Sequence, residues 1–295
     1  MDGRRAWLLN LDAEDELASR GGHTPSGAMM RRCAALGRRV EGLLGPGDVL
    51  LERATALPRG ERWRGVAWCP TPRAIRALEA AGAVPPAAPP LEVLRRANHR
   101  RFCAELGQTL PGARYVETHA ELAEVLGAAA PGAPWLLKRP FGFAGRGRRR
   151  VVAGQFDPAD ARWIEASLRT GEGLQAEPWA ARAGDFALHG FLDQDGCLTL
   201  GVPTEQCCDE RGAWSGSARC DVGALTKSEQ AALEASAYQV AEALRRAAYF
   251  GPFGIDAFRW QDDGILRWNP RCEINARYSM GWPMGMGASR PDLAG

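Results

Sequence analysis

Residues 135–150 read Trp135-Leu-Leu-Lys138-Arg-Pro-Phe-Gly142-Phe-Ala-Gly145-Arg-Gly147-Arg-Arg-Arg150. The first four form an apolar run closing on a lysine, which predicts a buried strand with a cation at its end. Gly142, Gly145 and Gly147 let the backbone fold back and aim successive N–H groups at an anion. Lys138 adds a point charge suited to phosphate. No Gly-Lys-Ser/Thr follows and no helix begins at the last glycine, so the segment is not a P-loop. A plain β-hairpin with a basic tip fits the same residues, and the stretch alone does not choose between the two.

A second pattern lies toward the C-terminus. Strands are predicted at 254–260 and 265–274, joined around Asp262-Asp-Gly264. The first carries Asp256, and the second runs into Arg271-Cys-Glu273-Ile-Asn275-Ala-Arg277. Glu273 and Asn275 are two apart, so on a strand they share a face, and Asp256 on the neighbouring strand can join them. Two carboxylates and an amide oxygen are the hard donors that hold Mg2+ while it bridges phosphates. Arg277 continues that face and suits the charge of a transferring phosphoryl group. A surface cluster of ion pairs is the alternative reading.

Between and before these patterns the chain alternates strand and helix signals. A strand at 6–11 is followed by Thr24-Pro25, which predicts a helix from there to about Leu44. Short strands at 48–51 and 66–69 and a Thr71-Pro72 helix complete a βαβ rhythm, which favours a parallel sheet. Four prolines within 83–90 exclude a helix or central strand there and predict a linker. Beyond it we expect a helix over 91–107, a strand at 114–117 and helices opened by Thr118, Asp157 and Thr226. A strand at 173–177 and a hairpin around Asp195-Gly196 follow. Segment 205–219, polar and glycine-bearing, reads as a flexible substrate loop. Its Arg219 is a candidate for gripping a carboxylate or phosphate.

Composition excludes several classes. A net charge of +2 does not by itself argue for a nucleic-acid partner. No apolar run approaches a membrane span and no signal peptide is visible, so a membrane partner is not expected. The eight cysteines form no Cys-x-x-Cys pair and only four histidines exist, so a zinc site lacks support. Free, reduced thiols are expected, which favours the cytoplasm. No Gly-x-Ser-x-Gly elbow occurs, and adjacent Cys207 and Cys208 are poorly suited to pair with each other. His189, in a strand pattern, reads as a core residue with its hydrogen bonds satisfied rather than a catalyst.

Taken together, the Lys138 segment and the Asp256/Glu273/Asn275 set resemble the ATP-grasp superfamily, over roughly residues 91–281. The resemblance implies an α/β N-terminal domain (1–90) followed by two α+β subdomains (91–177 and 178–295) that enclose an ATP cleft. It also implies roles for individual residues. Arg100, in Asn98-His-Arg100, stands where the family often has a phosphate-binding lysine, a substitution that keeps charge but changes geometry. Lys138 matches the second lysine, and Gly142, Gly145 and Gly147 match the phosphate loop. Glu177 and the backbone near Trp179 resemble the hinge that meets adenine, and Asp185 takes the place of the ribose-binding acid. Asp256, Glu273 and Asn275 match the ligands for Mg2+, or Mn2+ in its place, and Arg277, Lys138 and Arg219 are the candidates for catalysis. The family places its metal acid nearer the Glu-x-Asn than here, and Trp268-Asn269-Pro-Arg271 mimics another family ending, so Asn269 stays a second candidate ligand.

The activity so implied is an ATP- and Mg2+-dependent ligase that activates a small-molecule or peptide carboxylate as an acyl phosphate and joins it to an amine. The alternatives are a phosphotransferase acting on a non-carboxylate acceptor and a nucleotide-binding protein without catalysis.

Overall fold

The structure is a computed structural model describing residues 4–20, 22–51, 56–58, 60–142, 145–208, 214–287 and 289–293. Three sheets organise it. The first is parallel, in the order β2-β1-β3-β4, from β1 (Arg5–Leu8), β2 (Val49–Leu50), β3 (Trp63–Ala67) and β4 (Ala83–Val84). Helices α1 (Ala13–Ala18), α2 (Gly27–Gly37) and α3 (Pro72–Ala81) accompany it. Thr71 caps α3 as expected, but Ser26 rather than Thr24 caps α2, because its hydroxyl is the one that accepts from Met29 N. The helix expected to reach Leu44 gives way at Arg38 to 3-10 geometry. The proline-rich 83–90 stretch opens with β4, which pairs only along β3, where an edge position tolerates the prolines that follow.

The second sheet is antiparallel, in the order β5-β8-β6-β7: β5 (Arg114–Val116), β6 (Pro134–Lys138), β7 (Arg148–Val152) and β8 (Leu174–Pro178). The quoted stretch is its β6–β7 hairpin, with Lys138 opposite Arg148. Helices α4 (Leu91–Asn98) and α5 (Arg100–Glu105) precede it, and α6 (His119–Gly127) and α7 (Pro158–Leu168) complete the unit. The single helix expected over 91–107 is broken at His99, whose backbone is extended and whose ring accepts from Arg101 N. Asn98 is drawn away by the chain far ahead: it donates to Ala276 O and accepts from Ala276 N.

The third sheet runs β12-β11-β9-β13-β14, all antiparallel, with β10 also on β9. Its strands are β9 (Ala181–Leu192), β10 (Leu198–Leu200), β11 (Thr204–Cys208), β12 (Trp214–Arg219), β13 (Gly251–Asp262) and β14 (Ile265–Asn275). The loop expected over 205–219 is therefore mostly a β-hairpin, since β11 is held by the ladder to β9; its tip, 209–213, lies outside the described residues. Helix α8 (Lys227–Arg246), opened by the Thr226/Glu229 capping box, buries one face on the sheet, and the short α9 (Trp282–Met286) packs near β9. Among the described residues no helix is long and apolar enough to cross a membrane. The cysteines whose side chains are described are all free.

Candidate active site

The β13–β14 hairpin turns on Asp263-Gly264, both at positive φ, the two-residue turn that matches strand twist. From there the register pairs Phe258 with Asn269 but Asp256 with Glu273, so β14 carries two extra residues around Pro270. A proline cannot donate to the ladder, which accounts for a bulge at this point. The bulge absorbs the long sequence gap and still sets Asp256 directly opposite Glu273, with Asn275 beyond. Asn275 Nδ2 donates to Asp256 Oδ2 at 3.1 Å, and Gln206 Nε2 donates to Oδ1 at 2.8 Å. Burial, reinforced by the charge of Glu273, pushes the Asp256 carboxyl up to about 6. Burial works the same way on Glu273, but Arg100, Lys138, Arg277 and Arg182 outweigh it and hold that carboxyl below its ordinary range.

The facing wall comes from the second sheet. Lys138, at the end of β6, is buried with its Nζ 2.5 Å from Glu177 Oε1 on β8. Arg100, on the first turn of α5, reaches Glu273 Oε1 at 2.8 Å and Arg139 O at 3.1 Å. Gly142, Gly145 and Arg146 of the glycine turn line the cavity; Phe143 and Ala144 lie outside the described residues. A Cβ on Gly142 would stand 2.6 Å from Arg146 O, and Gly147 has φ of +70°, so both positions need glycine.

The first unit closes the site. Glu14 on α1 is buried, accepts from Gly142 N at 2.8 Å and from Arg277 Nε at 3.2 Å. Arg277 also donates to Asn275 Oδ1 at 2.9 Å and lies over the Trp68 ring. These groups surround a cavity of about 980 Å3. Among the described residues nine of its lining side chains are Lys or Arg and three are Asp or Glu, so it is strongly basic.

Of the residues singled out in the sequence, the cavity gathers Arg100, Lys138, Gly142, Gly145, Asp185, Asp256, Glu273, Asn275 and Arg277. Gly147 closes the base of the turn, its carbonyl accepting from Arg139 N at 2.7 Å, and Glu177 meets the cavity through Lys138. Three others stand elsewhere. Arg219 donates to Met284 O at 2.9 Å and holds α9, away from the cavity. Trp179 is exposed, its N–H given to Pro134 O and its ring covered by Arg150. Asn269 lines a neighbouring cleft, with its Oδ1 accepting from Arg271 N.

No family profile and no curated protein matches the sequence. Solved structures, by contrast, share its architecture. D-alanyl-alanine synthetase A from Vibrio cholerae aligns with a TM-score of 0.55 at 14% identity, over 100% of this chain and 94% of that one. N5-carboxyaminoimidazole ribonucleotide synthetase from Thermus thermophilus gives 0.51 at 20%, over 93% and 71%. The Staphylococcus aureus N5-carboxyaminoimidazole synthetase complexed with ADP gives 0.50 at 12%, over 94% and 71%. The chain has the ATP-grasp fold.

Three residues at or beside this cavity carry no sequence signal that marks them. Glu14 sits in the acidic run 12–16, whose short helix has no strong signal. Gln206 belongs to the segment read as a loop. Arg182, exposed, lies over the Phe258 ring at 4.2 Å and pairs with Asp185; it follows the hinge with no motif of its own. Among the described residues no group of three or more His, Cys, Asp or Glu is placed to hold a metal. Asp256 and Glu273 are instead two facing acids, and Asn275, whose Oδ1 here accepts from Arg277 while its Nδ2 faces Asp256, completes a set that suits Mg2+ shared with a polyphosphate once its amide is turned over. The raised Asp256 carboxyl fits this, because an added cation offsets the burial and the Glu273 charge that raise it.

Proposed function

We propose that the chain binds ATP with Mg2+ in this cavity and transfers the γ-phosphoryl group to a carboxylate. The acyl phosphate is captured by an amine, giving an amide, ADP and phosphate. The observation that carries this reading is the placement of Asp256, Glu273 and Asn275 on adjacent strands, across a cavity from Lys138, Arg100 and the glycine turn. Asp256, Glu273 and Asn275 would hold Mg2+, which supplies charge neutralisation at the phosphates. Lys138, Arg100 and the N–H groups of the turn bind phosphate oxygens, Glu177 and the hinge after it meet adenine, and Asp185 meets ribose. Arg277 stands ready to stabilise the transferring group. Arg219 and the Trp179 side chain have no part in this reading.

Calorimetry with a non-hydrolysable ATP analogue and Mg2+ tests the binding step. Binding is expected, and Glu273→Ala and Lys138→Ala are each expected to weaken it by about tenfold or more. No binding, or binding indifferent to both changes, sinks the proposal. ADP release over a panel of acids and amines then decides the reaction. Dependence on both an acid and an amine marks a ligase. A phosphorylated non-carboxylate product marks a phosphotransferase, and binding without turnover marks a nucleotide sensor.

A further inference from the structure

A second cavity of about 810 Å3 opens at the carboxyl edge of the parallel sheet, the edge where open α/β sheets receive ligands. Its walls are aliphatic: Leu8 and Leu50 close to the strand ends, Met30 and Ala34 on α2, Ala77 on α3. The polar groups beside it are already satisfied. Asn10 exchanges hydrogen bonds with the Cys69 backbone at 2.8 and 3.2 Å. Asp12 holds Arg73 at 2.7 Å and His23 at 3.1 Å. Burial, followed by the charge of Asp12, pushes the Cys33 thiol up to about 11, so this wall residue is neutral. Such a groove rewards an apolar occupant and offers little to a hydrophilic one.

The groove adjoins the nucleotide cavity. Arg38, just past α2, lines both. Arg32 and Arg39 line the larger cavity from the same wall. Arg100, Lys138, Arg182 and Arg277 are each bonded to a carboxylate, whereas Arg32, Arg38 and Arg39 have no acidic partner among the described residues. Cations at the neck favour an acid there and oppose a protonated amine.

We propose that the acid activated by this protein carries an apolar body, an alkyl chain or an aryl ring, seated in the 810 Å3 groove with its carboxylate at Arg38. This assignment rests on the ligase reading, and it extends that reading to a substrate class. The substrate itself is the assigned occupant, because Arg38 lines both this groove and the proposed nucleotide cavity.

The test uses the full chain and three probes: octanoate, 3-phenylpropanoate and acetate. Calorimetry without nucleotide measures their binding, and ADP release with Mg2+, ATP and hydroxylamine as the amine measures their activation. Octanoate and phenylpropanoate are expected to bind at least about tenfold tighter than acetate and to drive faster ADP release. Ala34→Trp and Ala77→Trp change exposed helix positions that line the groove, so folding is preserved. Each is expected to erase the advantage of the apolar acids while ATP-analogue affinity stays unchanged. Arg38→Met is expected to weaken all three carboxylates by about tenfold. Equal handling of acetate and octanoate, or discrimination that survives both tryptophans, overturns the assignment. Tight octanoate binding without any ATP binding would instead remove the ligase reading and leave the groove standing.

Discussion

His189 illustrates what one residue contributes. It is buried against Gly254, Gly281 and Gly285, and a Cβ on Gly285 would come within 2.4 Å of its ring. Its Nδ1 has no hydrogen-bond partner among the described residues, and burial pushes its pKa down to about 4 from 6.5. The unfolded chain therefore takes up a proton near pH 6.5 that the native state refuses until about pH 4. Stability is full above pH 6.5 and falls as the pH drops through that window. The expected loss is on the order of 3 kcal/mol. His99, buried beside Glu172, is pushed down to about 4 as well, so the acid limb has two contributors. His189→Leu should remove about half of that limb in urea titrations run across pH, and an unchanged slope would refute the argument. At this scale the sequence was informative where spacing is local. Glu273 and Asn275 could be placed on one face because two residues separate them. Glu14 could not be assigned, because its partners Gly142 and Arg277 are 128 and 263 positions away.

The elements were legible to the extent that their causes are short-range. The Asp263-Gly264 turn and the capping boxes of α6 and α8 are written in four residues each, and the structure forms them. The break at His99 is not, because helical periodicity runs through it and the reason lies in the backbone of Ala276. The β11–β12 hairpin was missed because its Ser, Gly and Glu content has little strand propensity. It is held by the ladder to β9 rather than by side-chain burial. The glycine turn carries a prediction at this scale. Gly142→Ala puts a methyl against Arg146 O, which the turn relieves only by shifting its backbone. ATP-analogue affinity should fall by about tenfold or more, while the unfolding midpoint reports a loss of only about 1–3 kcal/mol. A variant that binds like the parent would show that the turn does not cradle phosphate.

For the whole molecule, Glu14 is a joint shared by all three units. One carboxylate from the first unit holds the turn of the second through Gly142 N and the third through Arg277. Glu14→Gln leaves the Arg277 guanidinium buried without its counter-charge, so the chain should lose about 3 kcal/mol. Adding Arg277→Met should restore part of that loss, a coupling that a double-mutant cycle measures and that strict additivity would contradict. The basic lining of the cavity has a further consequence, for time rather than affinity. The whole chain carries only +2, yet that one concave surface holds nine cations to three acids among the described residues. Field lines focus in such a concavity and draw anions in before they touch it. Stopped-flow association of an ATP analogue should therefore slow by roughly tenfold between about 20 and 200 mM salt, with dissociation nearly constant, so that ionic strength sets how quickly the protein fills.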